Sequence, residues 1–400
     1  MTEIAIIGGG AAGFFAAITA AERHPQAKVT LIEAAAQPLG KVKISGGGRC
    51  NVTHACFDPA ALVQFYPRGQ RALRGAFSRF QPQDTVAWFT KRGVPLKTEA
   101  DGRMFPVTDR SQTIIDCLVR AAEDAGVKIW TGTTITNVVK TPQGFRLSSR
   151  TGADWEFDRL LLATGSNATG YRWAKELGHT IEPIVPSLFT LKITDSRLVD
   201  LAGVAVKTAT VSIVGDKKLT QTGPVLITHW GLSGPATLKL SAWAARFLHD
   251  QGYRGQLLVN WLPEVTADKL RSTILAVKTQ MPQKSIHSNC PVLLPQRLWV
   301  SLLNYCEIDG LWAGLSNKKL DRLLQELQRG TFPINGKSPF KEEFVTCGGI
   351  KLGEIDFKTM ASKICPGLYF AGEIIDVDGV TGGFNFQNAW TTGWLAGNSI

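Results

Sequence analysis

The sequence has 400 residues, 44% of them hydrophobic, which exceeds the usual size of one core and predicts two or more domains. Seven scattered cysteines without a C-x-x-C pair argue against a disulfide framework and against a metal site, and no run approaches the roughly 20 apolar residues that span a bilayer. With no basic and apolar leader at its start, the chain reads as soluble and cytoplasmic, and its formal charge of +11 favours anionic partners such as RNA.

Ile4 to Ile7 is a short β-branched run with the pattern of a buried parallel strand. It breaks into Gly8, Gly10 and Gly13, and residues 14–21 then read as a helix. Strand, G-x-G-x-x-G and helix in that order give the motif its physical content. Gly8 permits a tight turn, Gly10 lets backbone approach a diphosphate, and Gly13 lets helix pack closely on strand. Ala11, Ala12 and Gly13 sit where the helix N-terminus offers N–H groups and a positive dipole end to phosphates. A second strand, 29–32, ends at Glu33, 20 residues after Gly13. A carboxylate there accepts hydrogen bonds from ribose hydroxyls and repels a 2′-phosphate.

After Pro38-Leu39-Gly40 and Lys41 to Ile44 come Ser45, Gly46, Gly47, Gly48, Arg49, Cys50 and Asn51. Three consecutive glycines predict a loop whose backbone approaches a flat or charged ligand. Arg68, Arg71, Arg74 and Arg79 recur at helix-like spacing, followed by Lys91, Arg92, Arg103 and Arg110. They read as a solvated basic face, with nucleic-acid contact as the alternative. Residues 83–92 and 111–125 have helical periodicity, 127–130 is a strand, and 135–139 with 145–148 forms a hairpin around Pro142-Gln143-Gly144. Leu160 to Leu162 is fully apolar and runs into Ala163, Thr164 and Gly165. Such a strand belongs in the middle of a parallel sheet, with Thr164 and Gly165 beside the nucleotide.

The texture changes near Pro186. Residues 189–193, 204–214 and 225–228 are alternating or β-branched, predicting an antiparallel sheet or small barrel, and Thr228-His229-Trp230-Gly231-Leu232-Ser233-Gly234-Pro235 is a compact polar turn inside it. Residues 267–328 read as helices with core-facing leucine stripes. The last segment returns to α/β character: 367–373 is a strand ending at Gly372 and Glu373. Asp376, Asp378, Gly379, Gly382, Gly383, Phe384, Asn385 and Gln387 then precede a helix over about 388–396. These shifts predict an α/β fold. Its Rossmann-like domain is discontinuous, 1–185 with 345–400, around an inserted domain at 186–344. That insertion is β-rich over 186–263, helical over 264–330, and returns over 331–344.

Only one G-x-G-x-x-G is present, yet three glycine-rich turns (8–13, 45–48 and 379–383) bracket the chain. That arrangement suits a long enclosed FAD better than an exchangeable NAD. A closing helix N-terminus at the redox end stabilises negative charge on a reduced flavin. The stretches SGGGRCN (45–51), THWGLSGP (228–235), GGI with TM (348–360) and GLYFAGEIIDVDGVTGGFNFQ (367–387) resemble the BaiN/RdsA family of NAD(P)/FAD-dependent oxidoreductases, which includes proteins called aminoacetone oxidases. The resemblance runs from residue 4 nearly to the C-terminus. It implies a two-dinucleotide-type FAD domain assembled from both chain ends, with a β-barrel and a helical piece inserted. With the reading above, it gives a cofactor-binding set of Gly8, Gly10, Ala11, Ala12, Gly13, Glu33, Lys43, Ser45, Gly46, Gly47, Gly48, Arg49, Cys50, Asn51, Ile135, Ala163, Thr164, Gly165, Gly372, Glu373, Asp376, Gly382, Gly383, Phe384 and Asn385. The Ile135 backbone is placed at the adenine.

The sequence departs from that pattern in a short loop after Gly165, in His54 and Phe384 for a frequent Asn and Tyr, and in the Gly40 to Lys43 spacing. These changes fall where a substrate would reach the flavin. The resemblance implies reduction of a uridine in ribosomal RNA, reduction of a bile-acid ring, or amine oxidation, with NAD(P)H reducing the flavin in the first two. The +11 charge favours RNA. Reduction of a C=C bond also needs a proton donor, for which Cys50 and His229 are candidates, with Arg49 polarising a carbonyl. Each has a plainer reading: Cys50 as a packed residue, Arg49 as a partner of the cofactor diphosphate, His229 as a turn histidine. An amine oxidase and a non-catalytic FAD-containing RNA-binding protein are the competing functions.

Overall fold

The computed structural model describes residues 1–338 and 345–400; the end of the expected return segment, 339–344, lies outside the described residues. The chain divides into two compact units, Met1–Ile184 with Thr346–Ile400, and Val185–Val345.

The first unit is organised by a seven-stranded sheet. Its order is Ile355–Asp356, Ala361–Ser362, Leu368–Phe370, Arg159–Leu162, Glu3–Ile7, Lys28–Ile32 and Lys128–Trp130. The five strands from Leu368–Phe370 onward run parallel, and the two short ones at the far edge are antiparallel. Ile4 to Ile7 and Leu160 to Leu162 are buried, as continuous apolar runs in a covered parallel sheet must be. The opening helix, Ala11–Arg23, is longer than the 14–21 of the sequence reading because helical geometry begins directly at the glycine turn. Against it packs the closing helix, Phe384–Ser399. The approach is close: a Cβ on Gly393 would sit 2.7 Å from the Ala12 carbonyl, and one on Gly397 2.6 Å from the Ala16 carbonyl. Phe15, Phe80, Trp88, Trp390 and Trp394 surround this seam in edge, tilted and stacked contacts. The expected hairpin is Ile135–Lys140 paired with Phe145–Ser149, and the expected helices are Pro82–Lys91 and Ser111–Asp124.

The second unit holds a seven-stranded antiparallel sheet, in the order Gly330–Ile334, Gly255–Asn260, Ala205–Ile213, Thr220–Thr228, Gly231–Ser233, Leu191–Lys192, Gly336–Lys337. Its two outermost strands are consecutive in sequence, separated by Asn335 alone, so the sheet curls round on itself as a small barrel. Asn335 ties the corner by donating to the Lys192 carbonyl and accepting from the Thr194 N–H, both at 2.8 Å. Helices Ala267–Gln280, Gln296–Tyr305 and Asn317–Arg329 bury the predicted leucine stripes in one core with the sheet. Among the described residues no helix is long and apolar enough to cross a membrane, and no group of three His, Cys, Asp or Glu is placed to hold a metal.

Candidate active site

The register of the parallel sheet sets the site. Ile7 pairs with Leu162 and with Ile32, and Leu162 pairs with Phe370. Gly8, Glu33, Ala163 and Ala371 therefore leave the sheet along one edge, the carboxyl edge at which open α/β sheets bind ligands. Gly8 has φ 115°, and a Cβ there would strike the Ala163 carbonyl; one on Gly13 would strike the Gly8 carbonyl. Above Gly10 there is open space, with nothing within 4 Å of a Cβ. Phe14 N–H closes the first bond of the opening helix, 3.0 Å to Gly10 O, which leaves the N–H groups of Ala11, Ala12 and Gly13 as its free donors.

Glu33 is fixed at the tip of its strand: one carboxylate oxygen accepts from Gly9 N–H at 2.7 Å and the other from Ala35 N–H at 2.8 Å. Each oxygen keeps a lone pair for a ribose hydroxyl. Ala163 donates to Ile7 O at 2.9 Å, and Gly165 follows with φ 59°. The Thr164 hydroxyl is buried without a hydrogen-bond partner among the described residues. Gly372 has φ 77°, lies against Ala12, and donates to Thr392 Oγ1 at 2.9 Å. Glu373 receives Lys41 Nζ at 2.6 Å and Thr346 N–H at 3.1 Å, while Asp376 accepts from Gly348 N–H at 3.1 Å.

The triple-glycine segment is partly helical. Gly40–Gly48 starts as a helix, breaks at Ser45, and continues through left-handed Gly46, Gly47 and Gly48 at φ 57°, 68° and 82°. Lys43 and the three glycines are exposed, so their backbone is open to a ligand. Ser45 O accepts from Cys50 N–H at 3.0 Å and closes the turn. The Asn51 carboxamide, oriented to satisfy both ends, donates to Thr53 O and accepts from Gly383 N–H, each at 3.0 Å. A Cβ on Gly383 would lie 2.5 Å from Thr53 O. The segment near the start of the chain thus meets the turn near its end.

That turn is held from several sides. Tyr66 donates to Phe384 O at 2.7 Å, Thr53 and Thr85 both donate to Gln387 Oε1, and Trp390 Nε1 donates to Val52 O at 2.9 Å. Asp378, 0% exposed, is paired with the Arg68 guanidinium. The closing helix starts at Phe384 rather than near 388, because Gly382 (φ 130°) and Gly383 (φ 92°) complete the turn and Gly383 caps the helix. Phe384 and Asn385 therefore lie in its first turn. Phe384 stacks on Phe65 at 4.4 Å and meets His54 edge-on, and Asn385 spends its amide on Gly379, both bonds at 2.8 Å.

Of the three residues offered for the chemistry, Arg49 and Cys50 are neighbours in the first unit and His229 belongs to the second. Cys50 is buried, and burial pushes its thiol up to about 12, so it keeps its proton at neutral pH. Arg49 lies 4.0 Å over the Phe105 ring and pairs with Glu99 at 2.6 Å and Asp109 at 3.5 Å. His229 is exposed in the second unit, between strands Thr220–Thr228 and Gly231–Ser233. Ile135 is buried at the start of its strand. The basic series also divides. Arg71 lies on helix Gln70–Phe77 and is exposed, whereas Arg68 faces Asp378 and Arg79 donates to the Lys358 carbonyl. The sequence reading missed the Arg68–Asp378 pair and Lys41–Glu373. Their members lie 310 and 332 residues apart, and no local pattern joins them.

Open space over Gly10, three free helix N–H groups, an unpartnered buried hydroxyl and the joined glycine turns fit a dinucleotide stretched along this edge. The family model described as "HI0933-like protein Rossmann domain" matches residues 2–399. The chain belongs to this family. It is an FAD-dependent oxidoreductase with a Rossmann-type domain. Among its HI0933-like relatives, a 3-dehydro-bile acid delta(4,6)-reductase of Clostridium scindens is 29% identical over 410 residues, covering 100% of this chain and 99% of the relative. A ribosomal RNA dihydrouridine synthase of Escherichia coli is 31% identical over 408 residues, covering 99% and 97%. The fold is similar to that of a 3-ketosteroid-delta4-(5alpha)-dehydrogenase from Rhodococcus jostii, with a TM-score of 0.52 at 15% identity, covering 100% of this chain and 96% of the other.

Proposed function

We propose that this chain uses FAD to reduce an activated C=C bond, with uridine in ribosomal RNA as the foremost substrate and NADH or NADPH as the reductant. The observation that carries the reading is the junction of the Ser45–Asn51 segment with the 379–383 turn, in the unit whose parallel sheet opens at Gly8. End-to-end similarity to two relatives named for a C=C reduction and for dihydrouridine synthesis supports the reaction class.

Bound FAD would supply hydride transfer. The N–H groups of Ala11 to Gly13 would hold its diphosphate, Glu33 its ribose and the Ile135 backbone its adenine. Thr164, Gly165, Gly372 and Glu373 would line the path to the ring. The closing helix, capped at Gly383, would present a positive dipole end to charge developing there. Reduction adds a hydride to one carbon of the double bond and a proton to the other. Arg49, half-exposed and paired with Glu99 and Asp109, would polarise a substrate carbonyl. Cys50 is a packed thiol; of the two proton-donor candidates, His229 is the exposed one.

The charge distribution supports RNA. Residues 185–345 carry 19 Lys and Arg against 12 Asp and Glu, so +7 of the +11 belongs to the inserted unit. A basic surface of this kind draws in phosphates and releases their counterions. The test is mass spectrometry of ribosomal RNA from a strain lacking the gene. Loss of a two-hydrogen increment on one uridine, restored by the wild-type chain, is expected. Unchanged RNA, with fast oxidase turnover of an amine by the purified protein, would overturn the reading.

A further inference from the structure

We propose that the inserted unit carries its own ligand pocket, which takes an amphipathic carboxylate: a hydrocarbon body with one anionic head. A cavity of about 680 Å³ opens between the barrel and helix Ala267–Gln280, within the range of sites that hold small organic ligands. Leu262, Leu270, Val292 and Leu294 give it apolar walls. At the rim stands Leu293, 96% exposed, an apolar side chain that gains cover when a hydrocarbon lies beside it.

The polar groups choose the head. The strand Ala205–Ile213 bulges between Val206 and Ala209, and Lys207 sits in that bulge. Lys207 and Lys269 both line the cavity, both are exposed, and neither ammonium has an ion pair or hydrogen bond among the described residues. Glu264 is the third charged lining group, so the pocket keeps a net positive charge. Trp261 lines it too, and its buried indole N–H has no acceptor among the described residues. A carboxylate pairs with the ammonium groups and offers acceptor oxygens to an N–H; an alcohol does the first poorly, and a cation does neither. The inference stands on the inserted unit alone and does not depend on the substrate proposed above.

The experiment titrates the full-length, FAD-loaded protein with decanoate, decanol and decyltrimethylammonium below their micelle concentrations, by calorimetry and tryptophan fluorescence. One decanoate per chain is expected, with decanol about fivefold weaker and no saturable binding of the cation. Lys207→Gln with Lys269→Gln should lower decanoate affinity to that of decanol and leave decanol unchanged. Leu293→Asp should weaken both. Flavin absorbance and thermal melting of each variant should match wild type, since all three positions are at the surface. Equal affinity for decanoate and decanol, indifference to the lysine pair, or no saturable binding would overturn the proposal.

Discussion

Replacing Arg68 with Met removes an ion-pair partner of a carboxylate that has no access to water. Asp378 is 0% exposed and Arg68 11%, so the pair is shielded from the solvent screening that weakens surface ion pairs. Breaking a buried pair from one side costs about 3–5 kcal/mol, because the remaining charge stays desolvated. In a unit of this size each kcal/mol lowers the midpoint by about 2–4 °C, so Arg68→Met should melt roughly 10 °C early. The same turn carries Gly382 and Gly383, and the Phe65 carbonyl receives Val380 N–H at 2.9 Å, so the loss should loosen the turn as well. Flavin retention through gel filtration should therefore fall in parallel with the melting temperature. Adding Asp378→Asn removes the buried charge that has lost the Arg68 guanidinium and should recover most of the stability. The assay is a double-mutant cycle by thermal and urea unfolding, with flavin absorbance followed alongside. A single mutant within about 1 kcal/mol of wild type, or a double mutant no better than the single, would refute the reasoning.

Glu33→Arg replaces the acceptor fixed by Gly9 and Ala35 with a donor and should lower FAD content on purification by at least tenfold, as read by flavin-to-protein absorbance. Gly397→Val places methyl groups where Ala16 O already lies 2.6 Å from a Cβ and should cost about 1–3 kcal/mol or more by urea unfolding. His179 is buried beside Glu354 and Ser362, and burial holds its imidazole below the ordinary value of 6.5. The unfolded chain then takes up the proton first, so stability is full above about pH 6.5 and declines as pH falls through the folded value. Melting at pH 8 and pH 5.5 should show that decline in wild type and a shallower one in His179→Gln. A parallel slope in both would remove His179 as the cause.

Local physics was readable in the sequence wherever it was continuous. The strand 4–7, the glycine turn, the apolar strand at 160–162 and the helical stripes of 267–328 each announce themselves by period and composition, and each appears in the fold. Helix ends were less legible. At Phe384 the sequence looks like loop because five of the residues from 376 to 383 are Asp or Gly, yet the positive-φ glycines are the helix start itself. Long-range polar pairing was not legible at all. Arg68 looks like the first member of a basic helix face, and only folding reveals that Asp378 waits opposite it. Cys50, flanked by Arg and Asn, looks reactive, whereas the left-handed turn at φ 60° buries its side chain.

The central claim is that both chain ends hold one FAD. A crystal structure of the flavin-loaded protein tests it most directly. The diphosphate is expected within hydrogen-bonding distance of the Ala11, Ala12 or Gly13 N–H groups and the flavin ring beside Gly382 and Gly383. A diphosphate bound elsewhere, or a ring remote from the closing turn, would contradict it.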